Sequence, residues 1–264
     1  MLQIATWNVN SLKVRLPQVL AWLQQWPDMG GLALQETKLE NQAFPLEAFQ
    51  EAGWHCVFSG QKAYNGVALL SRAPLTEIQI NLPNFEDTQQ RLIAASMNDI
   101  RIICVYIPNG QSIDSPKYLY KLAWLDALIT WLKDELQRYP RLVLLGDYNI
   151  APTDSDVYDA QAWQGQVLVS AAERERFQRL LDLGLNDSVR SIHPNENLFT
   201  WWDYRAAAFR RNLGLRIDHI LLSSPLMANL QNCHIDRTPR KAQRPSDHTP
   251  LMVTLKNTAV SAQQ

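Results

Sequence analysis

Cysteine is scarce in this sequence. Cys56, Cys104 and Cys233 are three in 264 residues, an odd number, far apart and without a CxxC pair. That pattern excludes a disulfide framework and a structural zinc site, and it fits a reducing cytoplasm. An excess of either charge is also lacking: 25 Lys and Arg face 26 Asp and Glu, a net charge of −1. A chain so balanced does not hold nucleic acid by bulk positive charge, although a local basic face can hide within the total. No apolar run approaches the roughly 18 residues of a membrane span. The start, Met1 to Asn8, has neither the basic nor the apolar region of a secretory signal. Glycine is low at ten residues, and no repeat, low-complexity block or interdomain linker interrupts the chain. What is present is a globular balance, 46% apolar and 19% charged. The expectation is one domain over 1–256, with a polar, frayed tail at 257–264. Nine Trp are many for the length, and some of them are expected to work at the surface.

Short apolar, β-branched runs predict strands at Leu2–Trp7, Leu32–Leu34, Val67–Ser71, Thr76–Ile80, Leu92–Met97, Ile100–Tyr106, Leu142–Leu145, Ile217–Leu222 and Pro250–Leu255. Ser115-Pro116 opens a helix as N-cap and first residue, and Leu122, Leu125, Leu128, Ile129, Leu132 and Leu136 keep helical spacing until Pro140. Ser170-Ala-Ala-Glu173 is a capping box for a second helix that Gly184 ends. A third runs from about Arg15 to Trp26. Strands and helices mixed without a βαβ rhythm indicate an α+β fold, sheets inside flanking helices.

Polar residues gather where these strands end. Asn8 and Asn10 alternate across Val9, so both amides leave one face of the first strand. Glu36 follows a buried strand as a natural ligand for a hard cation, although in isolation a surface pair with Lys38 is the better reading. Asp147 and Asn149 stand two apart after Leu142–Gly146 and point the same way, one suited to activate water and the other to hold a phosphate oxygen. Asp218 opens a strand and Asp247-His248 precedes another. An imidazole held by a carboxylate stays oriented and basic enough to carry charge beside a phosphate. His55, His193 and His234 read as structural, and His219 fits either reading.

Together these residues resemble the exonuclease III family of the endonuclease/exonuclease/phosphatase superfamily. The ordered motifs are Trp7-Asn-Val-Asn10, Leu34-Gln-Glu-Thr-Lys38, Tyr64-Asn-Gly-Val-Ala68, Val105-Tyr-Ile-Pro-Asn-Gly110, Gly146-Asp-Tyr-Asn-Ile-Ala-Pro152, Phe199-Thr-Trp-Trp-Asp-Tyr-Arg205, Gly214-Leu-Arg-Ile-Asp218 and Ser246-Asp-His248, which span most of the chain. The resemblance implies a DNase I-like four-layered α/β sandwich, two mainly antiparallel sheets packed face to face between helices. It implies a Mg2+-dependent DNA-repair phosphodiesterase, with Mn2+ as a substitute metal, that acts at 3′ ends or 5′ to abasic sites and leaves a 3′-hydroxyl. In that scheme Glu36 is the main metal ligand, with Asn8 or Asn10 nearby and Asp247 contributing. Asp147 positions and deprotonates water, Asn149 and Asn8 hold phosphate oxygens, and Tyr106 with Asn109 touches the scissile group. His248, oriented by Asp218, stabilises the pentavalent phosphate. Many relatives carry Asp in place of Asn10 and Gly in place of Ser11. The resemblance also sets Trp201, Leu215 and Ile217 around a pocket for a flipped, base-free sugar, and leaves Trp202 open between core and pocket wall. Trp163 and Leu168, in the preceding loop, are expected to obstruct that pocket and favour 3′-end trimming.

The hidden basic face falls between Trp201 and Ser246. There Arg205, Arg210, Arg211, Arg216, Arg237, Arg240, Lys241 and Arg244 stand against Asp203, Asp218 and Asp236, eight cations to three acids or +5, which leaves −6 for the rest. These cations are expected to contact phosphates of double-stranded DNA with abasic sites, nicks or recessed 3′ ends, Arg205 and Arg216 next to the pocket. The expected protein is a monomer with no membrane partner. Competing readings are a phosphatase of a non-nucleic-acid ester, disfavoured by the basic stretch, and a non-catalytic DNA-binding relative, disfavoured by the intact acids.

Overall fold

A computed structural model describes residues 1–256; the polar tail lies outside the described residues. Two six-stranded sheets face one another. The first runs in the order Leu230–Ile235, Leu251–Leu255, Leu2–Asn8, Met29–Gln35, Val67–Ser71, His55–Ser59. The second runs Leu75–Ile80, Leu92–Met97, Ile100–Tyr106, Leu142–Asp147, Asp218–Ser223, Leu185–Asp187. Each holds one parallel pair, Leu2–Asn8 with Met29–Gln35 and Ile100–Tyr106 with Leu142–Asp147; the remaining pairs are antiparallel. The four-layered sandwich is therefore the fold.

One apolar layer lies between the sheets, with Ile4, Ala33 and Val253 meeting Ile102, Cys104, Leu145 and Ile220. Outside the second sheet, the helices Pro116–Arg138 and Ala171–Asp182 bury Trp124, Leu128 and Phe177. Outside the first, the helix Leu12–Gln25 buries Val19, Trp22 and Leu23. The Ser115 side chain accepts from Lys117 N, and the Ser170–Glu173 capping box is formed in both directions. Six of the nine Trp are core residues and the other three are half-buried, so the surplus of Trp serves packing more than surface contact. Among the described residues no helix is long and apolar enough to cross a membrane.

Register positions the site. Cys104, Leu145 and Ile220 are neighbours across three strands on the face between the sheets. Two residues onward on that same face come Tyr106, Asp147 and Asp218, again side by side. From the opposite sheet, Asn8 pairs with Gln35 at the strand ends. The Gln35 amide is hydrogen-bonded to Thr6 and Cys104, so the apolar layer passes through one polar row into the site.

Candidate active site

At this end of the sandwich the backbone turns sharply. Gly146 takes φ +145°, and a Cβ there would lie 1.9 Å from Val105 O, so no side chain fits immediately before Asp147. Glu36 and Asn149 both adopt φ +51°, a left-handed conformation rare outside glycine and concentrated at functional sites.

Asp147 is fully buried. Its Oδ1 accepts from Asn149 N at 2.9 Å, and its Oδ2 accepts from Asn8 Nδ2 at 2.9 Å. His248 lies behind it, Nε2 3.7 Å from Asp147 Oδ2 and Nδ1 2.8 Å from Asp218 Oδ2. Burial works to lower the His248 imidazole, but Asp218 and Asp147 outweigh it and raise it to about 10. Burial likewise raises Asp147, against the pull of His248, to about 7. The pair is thus a carboxyl that ionises near neutrality beside an imidazolium. The ligand atoms of Asp147, Asp218 and His248 all fall within 4.8 Å of one another. With His248 raised by its two carboxylates, the trio is arranged to share a proton.

The metal-type donors are opposite. Asn8 Nδ2 bridges Asp147 to Glu36 Oε1 at 3.0 Å, and Tyr106 Oη donates to the same oxygen at 2.9 Å. Lys38 Nζ is 2.8 Å from Glu36 Oε2 and also donates to Asn10 Oδ1. Burial opposes ionisation of Glu36, but Lys38 and Asn8 prevail and hold it below the carboxylate range. The surface reading of Glu36 with Lys38 therefore describes a real ion pair, inside the site. Asn10 Nδ2 donates to Asp247 Oδ1 at 2.9 Å, and Trp201 Nε1 donates to Asp247 Oδ2 at 3.0 Å. Tyr106, half-buried and flanked by Glu36 and Asp147, stays a neutral phenol. Asn109 Nδ2 donates to Asn149 Oδ1 at 3.0 Å.

Glu36, Tyr106, Asp147, Asp247 and His248 open on one cavity of about 430 Å³, whose apolar side is Trp201, Ile217, Trp163 and Leu168. Asn109, Asn149 and Arg205 also line it. Three expected contacts do not reach it. Arg216 is fully buried, bound to Asp156 Oδ1 at 2.6 Å and Asp187 Oδ2 at 2.8 Å; it joins core elements and touches no solvent. Trp202 is core, packed edge-on against Phe209 at 5.0 Å; Gly214 leaves it room, since a Cβ there would lie 2.4 Å from its Nε1. Leu215 is fully buried behind the wall that Ile217 presents. His219 is structural: burial lowers it to about 4, and its Nε2 binds Ile150 O at 2.8 Å.

Sequence reasoning did not single out Thr200, Tyr204 or Ser246. Thr200 Oγ1 accepts from the Ile217 and Asp218 amides, Ser246 Oγ donates to Asn8 O at 2.7 Å, and the exposed Tyr204 hydroxyl accepts from Asn10 Nδ2. Their motifs held the only signal, a hydroxyl adjacent to each acid or aromatic.

A buried carboxylate–imidazolium pair facing a second acid across an open cavity is the equipment of a phosphoester hydrolase. The chain belongs to the Endonuclease/Exonuclease/phosphatase family, which it matches over residues 5–248, and within it to the exonuclease III group of DNA-repair nucleases. It is similar to exodeoxyribonuclease III of Haemophilus influenzae, 34% identical over 97% of this chain and 100% of that protein. The structure of the 3′ phosphatase NExo from Neisseria, bound to product DNA hairpin, is 49% identical with TM-score 0.96, over 97% and 100% of the two chains. An AP endonuclease from Archaeoglobus fulgidus is 40% identical with TM-score 0.94, over the same shares.

Proposed function

We propose that this chain hydrolyses phosphate esters at 3′ ends of duplex DNA, at recessed ends and nicks, in preference to incising internal abasic sites. One observation supports the preference: Leu168, Leu215 and Ile217 form a single apolar cluster with Trp163, Val167 and Trp201 packed against it. Trp163 and Leu168 thereby pack beside Trp201 and Ile217, the residues expected around a flipped sugar, and narrow its entry on the apolar side of the cavity that Glu36, Asp147 and His248 share. The 3′ phosphatase similar to this chain acts at the same kind of terminus.

Asp147 ionises near neutrality, and as the base it takes a proton from water whose oxygen attacks phosphorus in line. The bond from phosphorus to the 3′-oxygen breaks, that oxygen takes a proton from solvent to become the 3′-hydroxyl, and the phosphate carrying the water oxygen departs. Asn149 holds a phosphate oxygen without adding charge, whereas Asn8, expected to do the same, is fully buried and spends both amide protons on orienting Glu36 and Asp147. His248, kept cationic by Asp218, neutralises charge that grows on the phosphate. Tyr106, a neutral phenol, supplies one more donor beside Asn109. The donor set around Glu36, with Asn10 and Asp247, consists of carboxylate and amide oxygens with no thiolate or neutral imidazole, which fits a hard cation such as Mg2+, or Mn2+ in its place. Such a cation supplies charge neutralisation at the phosphate when bound. The basic face, read as a phosphate track, keeps Arg205, Arg210, Arg211, Arg237, Lys241 and Arg244 at the surface. We further propose that the protein works as a monomer with 1–256 as one catalytic domain.

The test compares a recessed 3′ end with an internal abasic duplex, using purified protein in Mg2+. The expected result is 3′-end release at least tenfold faster, abolished in Asp147→Asn. Equal rates on the two substrates refute the preference, and an active Asp147→Asn refutes the mechanism.

A further inference from the structure

Lys121 and Glu173 lie away from the cavity. Both side chains are fully buried and paired with each other. A capping box at the start of a helix functions with its acid at the surface, and an ion pair withdrawn from water adds little stability over an apolar pair of the same size. The reason for this pair is therefore what else its two groups hold.

The Lys121 ammonium donates to Glu173 Oε1, to Asn149 O at 2.6 Å and to Asn109 O at 3.2 Å, which uses all three of its protons. Glu173 Oε1 also accepts from Leu168 N at 3.1 Å, and Oε2 accepts from Ser170 N at 3.0 Å. Three separate loops of the site thus converge on one buried ion pair: those bearing Asn109, Asn149 and Leu168. Two of these residues have backbones that ordinary residues avoid, Asn149 at φ +51° and Leu168 at φ +76°. The pair grips the carbonyl of the first and the amide of the second, and Ala151 N to Leu168 O at 2.8 Å links the two loops directly. Gly110 completes the contact, since a Cβ there would meet Val167 Cγ2 at 3.1 Å and Lys121 Cδ at 3.3 Å.

We propose that Lys121 and Glu173 are positioning residues for the reaction: one buried ion pair sets the amides of Asn109 and Asn149 against the phosphate and the Leu168 wall against the sugar. This rests on the phosphate-holding role proposed above for Asn149. Two of the three loops carry a strained residue, Asn149 or Leu168, whose carbonyl or amide the pair holds in place.

The experiment is a double-mutant cycle of Lys121→Met and Asn149→Ala, with kcat and KM on a recessed 3′ end and thermal unfolding of each variant. Lys121→Met is expected to lower kcat at least 30-fold with KM changed less than threefold. In the Asn149→Ala background the same change is expected to cost less than threefold, since the group it positions is gone. Equal losses in both backgrounds mean a merely structural role and overturn the inference. Lys121→Met leaves the Glu173 charge alone in the core, so where that variant does not fold the cycle is run with Lys121→Met/Glu173→Gln, which buries no charge. A pair whose neutral replacement still prevents folding is a folding element, and that outcome also overturns the inference. An Asn149→Ala that keeps the parent kcat refutes the role of Asn149 first, and this inference with it.

Discussion

Replacing Arg216 by Met tests whether the largest cation in the core is a stabilising element or a phosphate contact. Its guanidinium touches Asp156 Oδ1 at 2.6 Å and Asp187 at 2.8 and 3.0 Å. Methionine leaves those two carboxylates buried. Asp156 keeps Arg190, whereas Asp187 keeps only the amides of Val189 and Arg190. Breaking a buried pair from one side costs about 3–5 kcal/mol, a fall in Tm of roughly 6–20 °C for a chain of this size. The pH dependence has a definite sign. In the parent protein burial works to raise both carboxyls, but Arg216 outweighs it and holds them below the ordinary value. That stability is present above pH ~4 and is lost as pH falls through the depressed values. In Arg216→Met, burial is left to raise Asp187, so the folded state binds a proton that the unfolded chain has released, and stability falls as pH rises. The deficit is therefore smaller near pH ~4.5 than at pH ~7. Urea unfolding followed by Trp fluorescence at both pH values measures it. A deficit under about 1 kcal/mol at neutral pH, with DNA affinity reduced instead, would refute the reasoning.

The activity profile should be bell-shaped: kcat/KM climbs as Asp147 ionises near pH 7 and falls as His248 loses its proton near pH 10. Asp218→Asn removes the carboxylate 2.8 Å from Nδ1 and is expected to bring the alkaline fall down by roughly 1–3 on the pH scale; an unmoved alkaline limb contradicts the role given to Asp218. Changing the exposed Arg237, Lys241 and Arg244 together to Ala should weaken binding across sequences and lower the slope of log affinity against log salt by up to about 3. Fluorescence anisotropy over a salt series reads this, and an unchanged slope removes these residues from the DNA track. Trp163→Ala should raise incision at an internal abasic site about tenfold relative to 3′-end release, the scale set by an apolar contact of this size. An unchanged ratio of the two rates means that Trp163 does not obstruct the pocket.

What could be read from the sequence depended on how far a residue's partners lie along the chain. Leu92–Met97 and Ile100–Tyr106 are strands over the whole ranges expected, because both are mainly apolar runs, broken only by Ser96 and Arg101, on either side of a turn. His55–Ser59, Leu185–Asp187 and Leu230–Ile235 escaped because each is an edge strand, short or half-exposed, with no apolar run to mark it. Asn8, Glu36, Asp147, Asn149 and His248 were legible as candidates because each follows or precedes a buried strand. Their convergence was not, since Asn8 reaches Asp147 across 139 residues. Arg216 was misread for the same reason: its carboxylates lie 60 and 29 residues away, and a cation with distant partners looks like a surface charge.

Lys121 carried a clearer signal. On the long helix the buried stripe is Tyr118, Lys121, Trp124, Leu125 and Leu128, and Leu122, expected in that stripe, is only half-buried. A lysine at the position where the spacing 121, 124, 125, 128 calls for an apolar residue is a buried charge that must find an acid. The same argument applies to the net charge. The basic stretch conceals cations of two kinds: Arg216 and Arg240, whose charges are spent inside the protein, and the six exposed residues Arg205, Arg210, Arg211, Arg237, Lys241 and Arg244. Only the second kind can meet a phosphate backbone, so the basic stretch overstates the DNA-facing charge by its buried members. The salt dependence of binding must follow the exposed cations and not the total.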